Sequence, residues 1–160
     1  MKSKPLVSIL IPVFNGEKFI DETFDSVFRQ SYENIEIVVV DDGSTDGSGE
    51  VARCYSERGV KVVRQANRGQ CVAANTAFRL STGDYIKFLD ADDLLSPDAI
   101  SFQVNALEGA LDKLAYGDWG RFYNDDPTSA VFPTSAPSVL FDPVTFLAQA
   151  PGLMLQCGLW

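Results

Sequence analysis

Apolar residues in roughly the first hundred positions follow two alternating spacings. Short apolar runs rich in β-branched residues are typical of buried strands. Four such runs occur, at residues 6–13 (LVSILIPV), 35–40 (IEIVVV), 60–64 and 84–89 (DYIKFL). Between them apolar residues recur at helical spacing, which indicates amphipathic helices. The helical segments are residues 17–30, 49–58, 70–80 and a stretch that begins after Ser96-Pro97.

This alternation of strand and helix predicts an α/β fold. The expected architecture is an open, mainly parallel sheet with helices on both faces and right-handed crossovers. Ligands of such sheets bind beyond the carboxyl ends of the strands. That rule selects three segments of this chain, residues 12–15, 41–44 and 90–93.

The pattern changes after about Trp119. Residues 124–137 are rich in Asn, Asp, Pro, Thr and Ser, which predicts a long surface loop of the kind that often forms a lid. Residues 142–149 are consistent with a short helix. The apolar residues 153–160 (LMLQCGLW) would leave an exposed edge, so we expect the sequence to be the amino-terminal portion of a longer protein that self-associates through this edge.

Composition and charge exclude several classes of function. The chain of 160 residues has 13 Lys and Arg against 22 Asp and Glu, a net charge of −9 that disfavours nucleic acid as a partner. It has no His, which removes a Ser-His-Asp triad and any His-based metal site. Its three scattered Cys predict reduced thiols. No run approaches the ~18 apolar residues of a transmembrane segment, so a cytoplasmic location is expected.

Asp90-Ala91-Asp92 follows the fourth predicted strand. Mg²⁺ and Mn²⁺ prefer one or two carboxylates together with phosphate oxygens. The strand-end position therefore favours a site for a divalent cation. The alternative is a set of solvated loop acids, and Arg79 and Lys87 are expected to be solvated as well.

Two further polar segments have both a binding and a structural interpretation. Asp41-Asp42 opens the sequence DDGSTDGS after the second strand, where a carboxylate can accept hydrogen bonds from a base or a ribose. The same sequence could equally form a turn and a helix cap. Arg68 lies in the turn Asn67-Arg68-Gly69-Gln70 before a helix of small residues, where it could meet a diphosphate or belong to a plain turn.

The first strand ends in Pro12-Val13-Phe14-Asn15. Proline at a strand end leaves a carbonyl available, and Phe14 could pack beside a flat base. The structural alternative is a strand end that leads into a turn.

In order and spacing, three segments resemble the family 2 glycosyltransferases. They are VSILIPVFNGEKFI, IEIVVVDDGSTDGS and NRGQCVAANTAFRLSTGDYIKFLDADD. The resemblance implies the nucleotide-diphospho-sugar transferase (type-A glycosyltransferase) fold in a single domain. Residues 6–117 would form the nucleotide-sugar-binding half, and residues 118–160 a lid-like loop and the start of the acceptor half.

The resemblance also implies an inverting, metal-dependent transfer from a nucleoside-diphosphate sugar, with a UDP-sugar favoured. The acceptor would be a carbohydrate or glycoconjugate hydroxyl in polysaccharide or glycoconjugate synthesis. Partner proteins could hold this cytoplasmic protein at the inner face of a membrane. By the same resemblance Asp42 contacts the base, Pro12 and Phe14 line its pocket, Asp90 lies near the ribose or the metal, and Asp92 binds Mn²⁺ or Mg²⁺.

Two positions depart from the family pattern. The family usually has an Arg-Asn pair in the third helix, where this chain has Ala74-Asn75. No Glu-Asp motif supplies the general base that would deprotonate the acceptor. The remaining candidates are Asp118, Asp125, Asp126 and Asp142, and we expect the base to lie beyond Trp160.

Two alternatives to an active glycosyltransferase stay open. A chain that lacks the base could be a non-catalytic nucleotide-sugar-binding fragment. A sugar nucleotidyltransferase is the other alternative, although Asn15-Gly16-Glu17 lacks the glycine-rich basic loop that such an enzyme needs.

Overall fold

A computed structural model of the chain describes residues 4–110 and 114–115. Its contacts divide the chain into two compact units, with a boundary between Asp98 and Ala99. The sheet and its helices belong to the first unit. The predicted loop at 124–137, the helix at 142–149, the apolar residues 153–160 and all four candidate bases lie outside the described residues, so the proposed division at residue 117 stays a prediction.

The first unit contains a four-stranded parallel sheet. The strands are β1 (Val7–Val13), β2 (Ile35–Asp41), β3 (Lys61–Arg64) and β4 (Tyr85–Phe88). Their order in the sheet is β3-β2-β1-β4, and every neighbouring pair is parallel. The predicted open parallel sheet is therefore confirmed.

Helices connect the strands in the predicted alternation. They are α1 (Ile20–Phe28), α2 (Ser48–Cys54) and α3 (Gln70–Leu80), with a short 3₁₀ turn at Ser56–Arg58. The first helix is shorter than its apolar pattern because residues 16–19 form a separate turn, in which the Phe19 N–H donates to the Gly16 carbonyl. In the second unit, α4 (Ala99–Leu107) buries Ile100 and Leu107. Within the described part of the chain, no helix combines the length and apolar character needed to cross a membrane.

Both faces of the sheet are covered. On one face, Leu10, Val38 and Val40 pack against Ala73 and Ala77 of α3, whose small side chains allow the helix to lie close to the strands. The residues that alternate with them, such as Ile9, Ile11 and Val39, are also fully buried. Right-handed crossovers place α1 and α2, which contact each other, on that second face.

The strand order fixes where a ligand can enter. From β1 the chain proceeds to β2 and β3 on one side, and then crosses back to add β4 on the other side of β1. The strand order therefore reverses beside β1, and ligands of such sheets bind beyond the carboxyl ends of the strands at that point.

Candidate functional site

The turn after β1 is held by the loop after β2. Asn15 has a left-handed backbone (φ 53°), and its N–H donates to Ser44 Oγ at 3.0 Å. In return its Oδ1 accepts the Thr45 N–H at 2.8 Å. The Gly16 N–H donates to Ser48 Oγ at 2.9 Å. Much of the polar sequence after β2 therefore has a structural role. This agrees with the second interpretation of DDGSTDGS, a turn that leads into a helix.

Asp46 and Glu17 extend the same connection. Asp46 accepts the N–H groups of Ser48, at the start of α2, and of Glu17, while the Glu17 carboxylate accepts the Gly47 N–H at 2.9 Å. Burial raises the pKa of Asp46, but the hydrogen bonds from Ser48 and from the backbone hold it below its ordinary value overall. This acid therefore belongs to the scaffold of the site.

Asp42 is buried at the end of β2 and organises a distant loop. One carboxylate oxygen, Oδ1, accepts from Gln65 Nε2 at 2.7 Å and from the Arg68 N–H at 2.9 Å. The other, Oδ2, accepts the Gly69 N–H at 2.7 Å. The adjacent Gly43 has φ 76° and approaches this loop so closely that a Cβ would lie 2.8 Å from the Asn67 nitrogen, so a larger residue would push the loop away.

Asp41 and Arg68, both predicted to bind the ligand, do not line the cleft described below. Asp41 is fully buried, accepts the Ser44 N–H through Oδ1, and has its Oδ2 3.5 Å from Arg64 Nε. Within the described residues that Oδ2 has no hydrogen-bond partner. Arg68 is exposed, and only its backbone N–H is tied to the site, through Asp42.

The Asp90-Ala91-Asp92 segment is anchored from two helices. The buried Thr23 of α1 donates its hydroxyl proton to the Ala91 carbonyl at 2.8 Å. Gln70 of α3 donates from Nε2 to Asp90 Oδ1 at 2.7 Å. Burial and the neighbouring charge of Asp92 raise the pKa of Asp90, against the opposing effect of the Gln70 hydrogen bond.

Lys87 is less exposed than the sequence predicts. A solvated side chain is expected at this position, but Lys87 is only partly exposed. Burial lowers the pKa of its ammonium group, and the nearby Asp93 opposes that effect. The reason is its register opposite Ile9, which turns it toward the face of the sheet that α1 and α2 cover.

These elements surround one cleft of about 570 Å³ at the carboxyl ends of the strands. Five of the predicted residues line it together: Pro12, Phe14, Asp42, Asp90 and Asp92. Phe14 is 50% exposed within it. Gln70 also lines it, and the sequence analysis had placed this residue in the turn that could meet a diphosphate, without a role for its side chain. Phe19 lines it as well and is 42% exposed, but the sequence analysis did not assign it to the site.

The cleft joins an apolar part to an acidic one. Its acidic part carries Asp90 and Asp92, whose mutual repulsion a divalent cation would relieve. No group of three or more Cys, His, Asp or Glu side chains converges within the described residues. A cation here would therefore need further oxygen ligands from a bound molecule, which fits Mg²⁺ or Mn²⁺ held by a carboxylate and a diphosphate.

The sequence profile of the family described as "Glycosyl transferase family 2" matches residues 8–141. The matched region includes the parallel sheet and the residues that line the cleft at the carboxyl ends of its strands. The chain belongs to glycosyltransferase family 2.

Curated relatives agree with this assignment. The chain is 47% identical over 94 residues to the "Uncharacterized glycosyltransferase EpsJ" of Bacillus subtilis (strain 168), a match that covers 58% of this chain and 27% of that protein. It is 33% identical over 130 residues to "Glycosyltransferase GlyG" of Streptococcus pneumoniae serotype 4, covering 79% of this chain and 42% of the relative. The chain therefore spans less than half the length of these relatives.

Solved structures show the type-A glycosyltransferase fold that the sequence predicted. Residues 1–349 of S. aureus TarS in complex with UDP-GlcNAc match with a TM-score of 0.68 and 26% identity, covering 76% of this chain and 37% of that one. The mannosyltransferase PcManGT from Pyrobaculum calidifontis, in complex with GDP-Man and Mn²⁺, matches with a TM-score of 0.60 and 32% identity. That match covers 67% of this chain and 32% of the other.

Proposed function

We propose that the cleft binds the donor of an inverting glycosyltransferase, a nucleoside-diphosphate sugar and preferably a UDP-sugar. The single observation that carries this proposal is the convergence of an exposed aromatic ring, a buried carboxylate and a pair of acids in one cleft. TarS with UDP-GlcNAc supports the choice of a uridine nucleotide. The acceptor would be a hydroxyl of a growing polysaccharide or glycoconjugate.

In this proposal the base occupies the part of the cleft between Pro12, Phe14 and Asp42. Phe14 offers a flat apolar surface to the base. Asp42 already accepts three hydrogen bonds. Because an ionised carboxylate has about four acceptor positions, one position is left for an N–H of the base. Asp42 would then both order the loop at residues 65–69 and recognise the nucleotide.

The diphosphate would lie at the acidic part of the cleft, with Mn²⁺ or Mg²⁺ held by Asp92 and assisted by Asp90. The bound cation would offset the charge that builds on the departing nucleoside diphosphate. PcManGT, whose complex contains GDP-Man and Mn²⁺, supports this choice of metal. Asp41 and Arg68 are proposed to contribute indirectly, the first from beneath the β2 loop and the second through its backbone.

Transfer also needs a general base that deprotonates the acceptor hydroxyl. Asp118, Asp125, Asp126 and Asp142 are acids of the right chemistry to deprotonate an acceptor hydroxyl, and all lie outside the described residues. Replacing each by Asn in a transfer assay tests them. Loss of transfer in one variant with donor binding retained would identify the base, whereas transfer by all four would place it elsewhere in the protein.

The second candidate function is nucleotide-sugar binding without transfer. It is favoured by the lack of a Glu-Asp motif among the 160 residues, which leaves the general base unassigned. Hydrolysis or binding of the donor without transfer to any acceptor would support this candidate. The sugar nucleotidyltransferase alternative has no such support, since the family match is to glycosyltransferases.

Calorimetric titration of UDP in Mn²⁺ and in excess chelator tests the proposed function. We expect Mn²⁺ to raise the affinity of the wild-type chain about tenfold or more, because the cation bridges two sets of negative groups. Asp92→Asn should remove most of that gain and leave the affinity in chelator unchanged. Asp25→Asn is the matched control, since Asp25 pairs with Arg29 on the exposed surface of α1 and is not among the residues that line the cleft. Equal UDP affinity with and without metal would contradict the metal-dependent proposal.

A further inference from the structure

Gln70 connects helix α3 to the acidic part of the cleft. It is the first residue of α3, lines the cleft, and donates from Nε2 to Asp90 Oδ1 at 2.7 Å. An ionised carboxylate only accepts hydrogen bonds, so the amide nitrogen of Gln70, and not its oxygen, must face Asp90. The contact therefore has a defined direction and uses one oxygen of the carboxylate.

The other hydrogen bonds around Asp90 hold its backbone, including the one that the Asp93 N–H donates to the Asp90 carbonyl at 3.1 Å. The strand β4 ends at Phe88, and the Leu89 N–H still donates to the Leu10 carbonyl at 3.0 Å, which holds the chain just before the acid. Beyond that point Thr23 holds the backbone at Ala91, but this bond does not orient the side chain of Asp90. The like charge of Asp92 would also push the Asp90 carboxylate away.

Gln70 itself starts from a fixed position. The two N–H groups that precede it, those of Arg68 and Gly69, both donate to Asp42. Three consecutive residues therefore contact both acids of the cleft. Arg68 and Gly69 bond to Asp42, which is proposed to recognise the base, and Gln70 bonds to Asp90.

We propose that Gln70 is a positioning residue of the donor site, which orients Asp90 so that the second carboxylate oxygen meets the cation or ribose of a nucleoside-diphosphate sugar. The inference rests on the proposed function. Since Gln70 acts through Asp90, its contribution to binding disappears when the Asp90 carboxylate is absent. A residue with only a structural role in α3 would contribute equally with and without Asp90.

A double-mutant cycle separates these two roles. UDP affinity in Mn²⁺ is measured by calorimetry for wild type, Gln70→Met, Asp90→Ala and the double variant. Methionine keeps the length of the side chain and removes the donor. Gln70→Met should lower the affinity about fivefold to tenfold in the wild-type background, less than the loss of a direct hydrogen bond to a charged group because Gln70 acts through Asp90, and less than about twofold beside Asp90→Ala. Gln103→Met on α4 makes the same chemical change at a residue that is not among those lining the cleft, and it should leave the affinity unchanged.

Nuclear magnetic resonance of the ligand-free chain supplies a second readout, which does not depend on a stable Gln70 variant. The side-chain amide resonances of Gln70 should move when Asp90 is replaced by Ala and stay in place in Asp25→Asn. Unmoved resonances, or an equal loss of affinity from Gln70→Met with and without Asp90, would overturn the inference. If the wild-type chain binds UDP and Gln70→Met binds it with the same affinity, the role of Gln70 is wrong but the proposed function stands. Failure of the wild-type chain to bind UDP in Mn²⁺ would instead overturn the proposed function, and this inference with it.

Discussion

At the scale of single residues, Asp42 shows how a predicted ligand group also serves as a scaffold. Its three hydrogen bonds reach Gln65, Arg68 and Gly69, which are 23, 26 and 27 positions away in the sequence. No local pattern predicts such contacts, because they depend on how the third crossover returns to the sheet. The position of Asp42 at a strand end was predictable, but its structural partners were not.

Asp42→Ala should reduce UDP affinity more than Asp46→Ala. The first change removes a proposed contact with the base and releases the loop at residues 65–69, whereas the Asp46 carboxylate accepts hydrogen bonds from Ser48 and Glu17 in the scaffold and is not among the residues that line the cleft. A lost hydrogen bond to a charged acceptor corresponds to about 1.5–3 kcal/mol of binding free energy. Calorimetry with UDP measures both variants, and circular dichroism confirms that both are folded. Equal losses of affinity would show that Asp42 has no special contact with the nucleotide.

Gln70 and Phe19 illustrate what the residue pattern leaves unresolved. Each lies at the start of a helix, where its neighbours in the sequence are turn residues. Whether such a side chain faces the cleft depends on the direction in which the helix leaves the sheet. Only the tertiary structure supplies that direction, so these two lining residues could not be assigned from spacing alone.

At the scale of elements, the buried strands were the most predictable part of the fold. The apolar runs of β1 and β2 match their observed bounds within one residue, since a strand buried on both faces needs an unbroken apolar sequence. Helix ends were less predictable, because α1 begins only after the turn at residues 16–19. The polar side chains that form hydrogen bonds between strands, such as Ser8 and Glu36, follow no sequence pattern that predicts these bonds.

Glu36 is the best example of such a polar connection between strands. Its carboxylate, on β2, accepts a hydrogen bond from the hydroxyl of the buried Ser8 on β1 and from the Thr82 N–H at 2.8 Å. The Gly83 N–H in turn donates to Ser8 Oγ at 2.9 Å. This network ties β1 and β2 to the segment that leads into β4. Burial raises the pKa of Glu36, but the hydrogen bonds from Ser8 and Thr82 outweigh burial and lower it overall.

The lowered pKa of Glu36 predicts a pH-dependent contribution to stability. A carboxyl group with a depressed pKa in the folded state stabilises the fold above its unfolded pKa, and the effect is lost as the pH falls through the folded value. Glu36→Gln should therefore reduce the free energy of unfolding by about 1–2 kcal/mol at pH 7. The difference from wild type should shrink steadily below about pH 4.5.

Urea denaturation at a series of pH values from 7 down to 3.5 measures this difference. Glu33→Gln serves as the control, because Glu33 is exposed just before β2 and should change the stability little at any pH. A difference between Glu36→Gln and wild type that stays constant over the whole pH range would mean that ionisation of Glu36 does not stabilise the sheet.

At the scale of the whole molecule, the order of elements determined the site. The sequence predicted alternating strands and helices, and the observed order β3-β2-β1-β4 places the ends of β1 and β4 at a switch point. Pro12, Phe14, Asp90 and Asp92 converge there because they lie at or just beyond the carboxyl ends of those two strands. Asp41 also lies at the carboxyl end of a strand, β2, and was therefore predicted to bind the ligand. Because successive residues of a strand point to opposite faces of the sheet, its side chain lies on the other face from Val40, which pairs with Pro12.

The cleft is proposed here as the donor site of a family 2 glycosyltransferase. A crystal structure of the chain with UDP and Mn²⁺, with diffraction data collected at the manganese absorption edge, would locate both ligands. We expect an anomalous peak beside Asp92, with the uracil ring next to Phe14 and Asp42. Nucleotide bound outside the cleft, or a manganese peak remote from Asp90 and Asp92, would contradict the proposal.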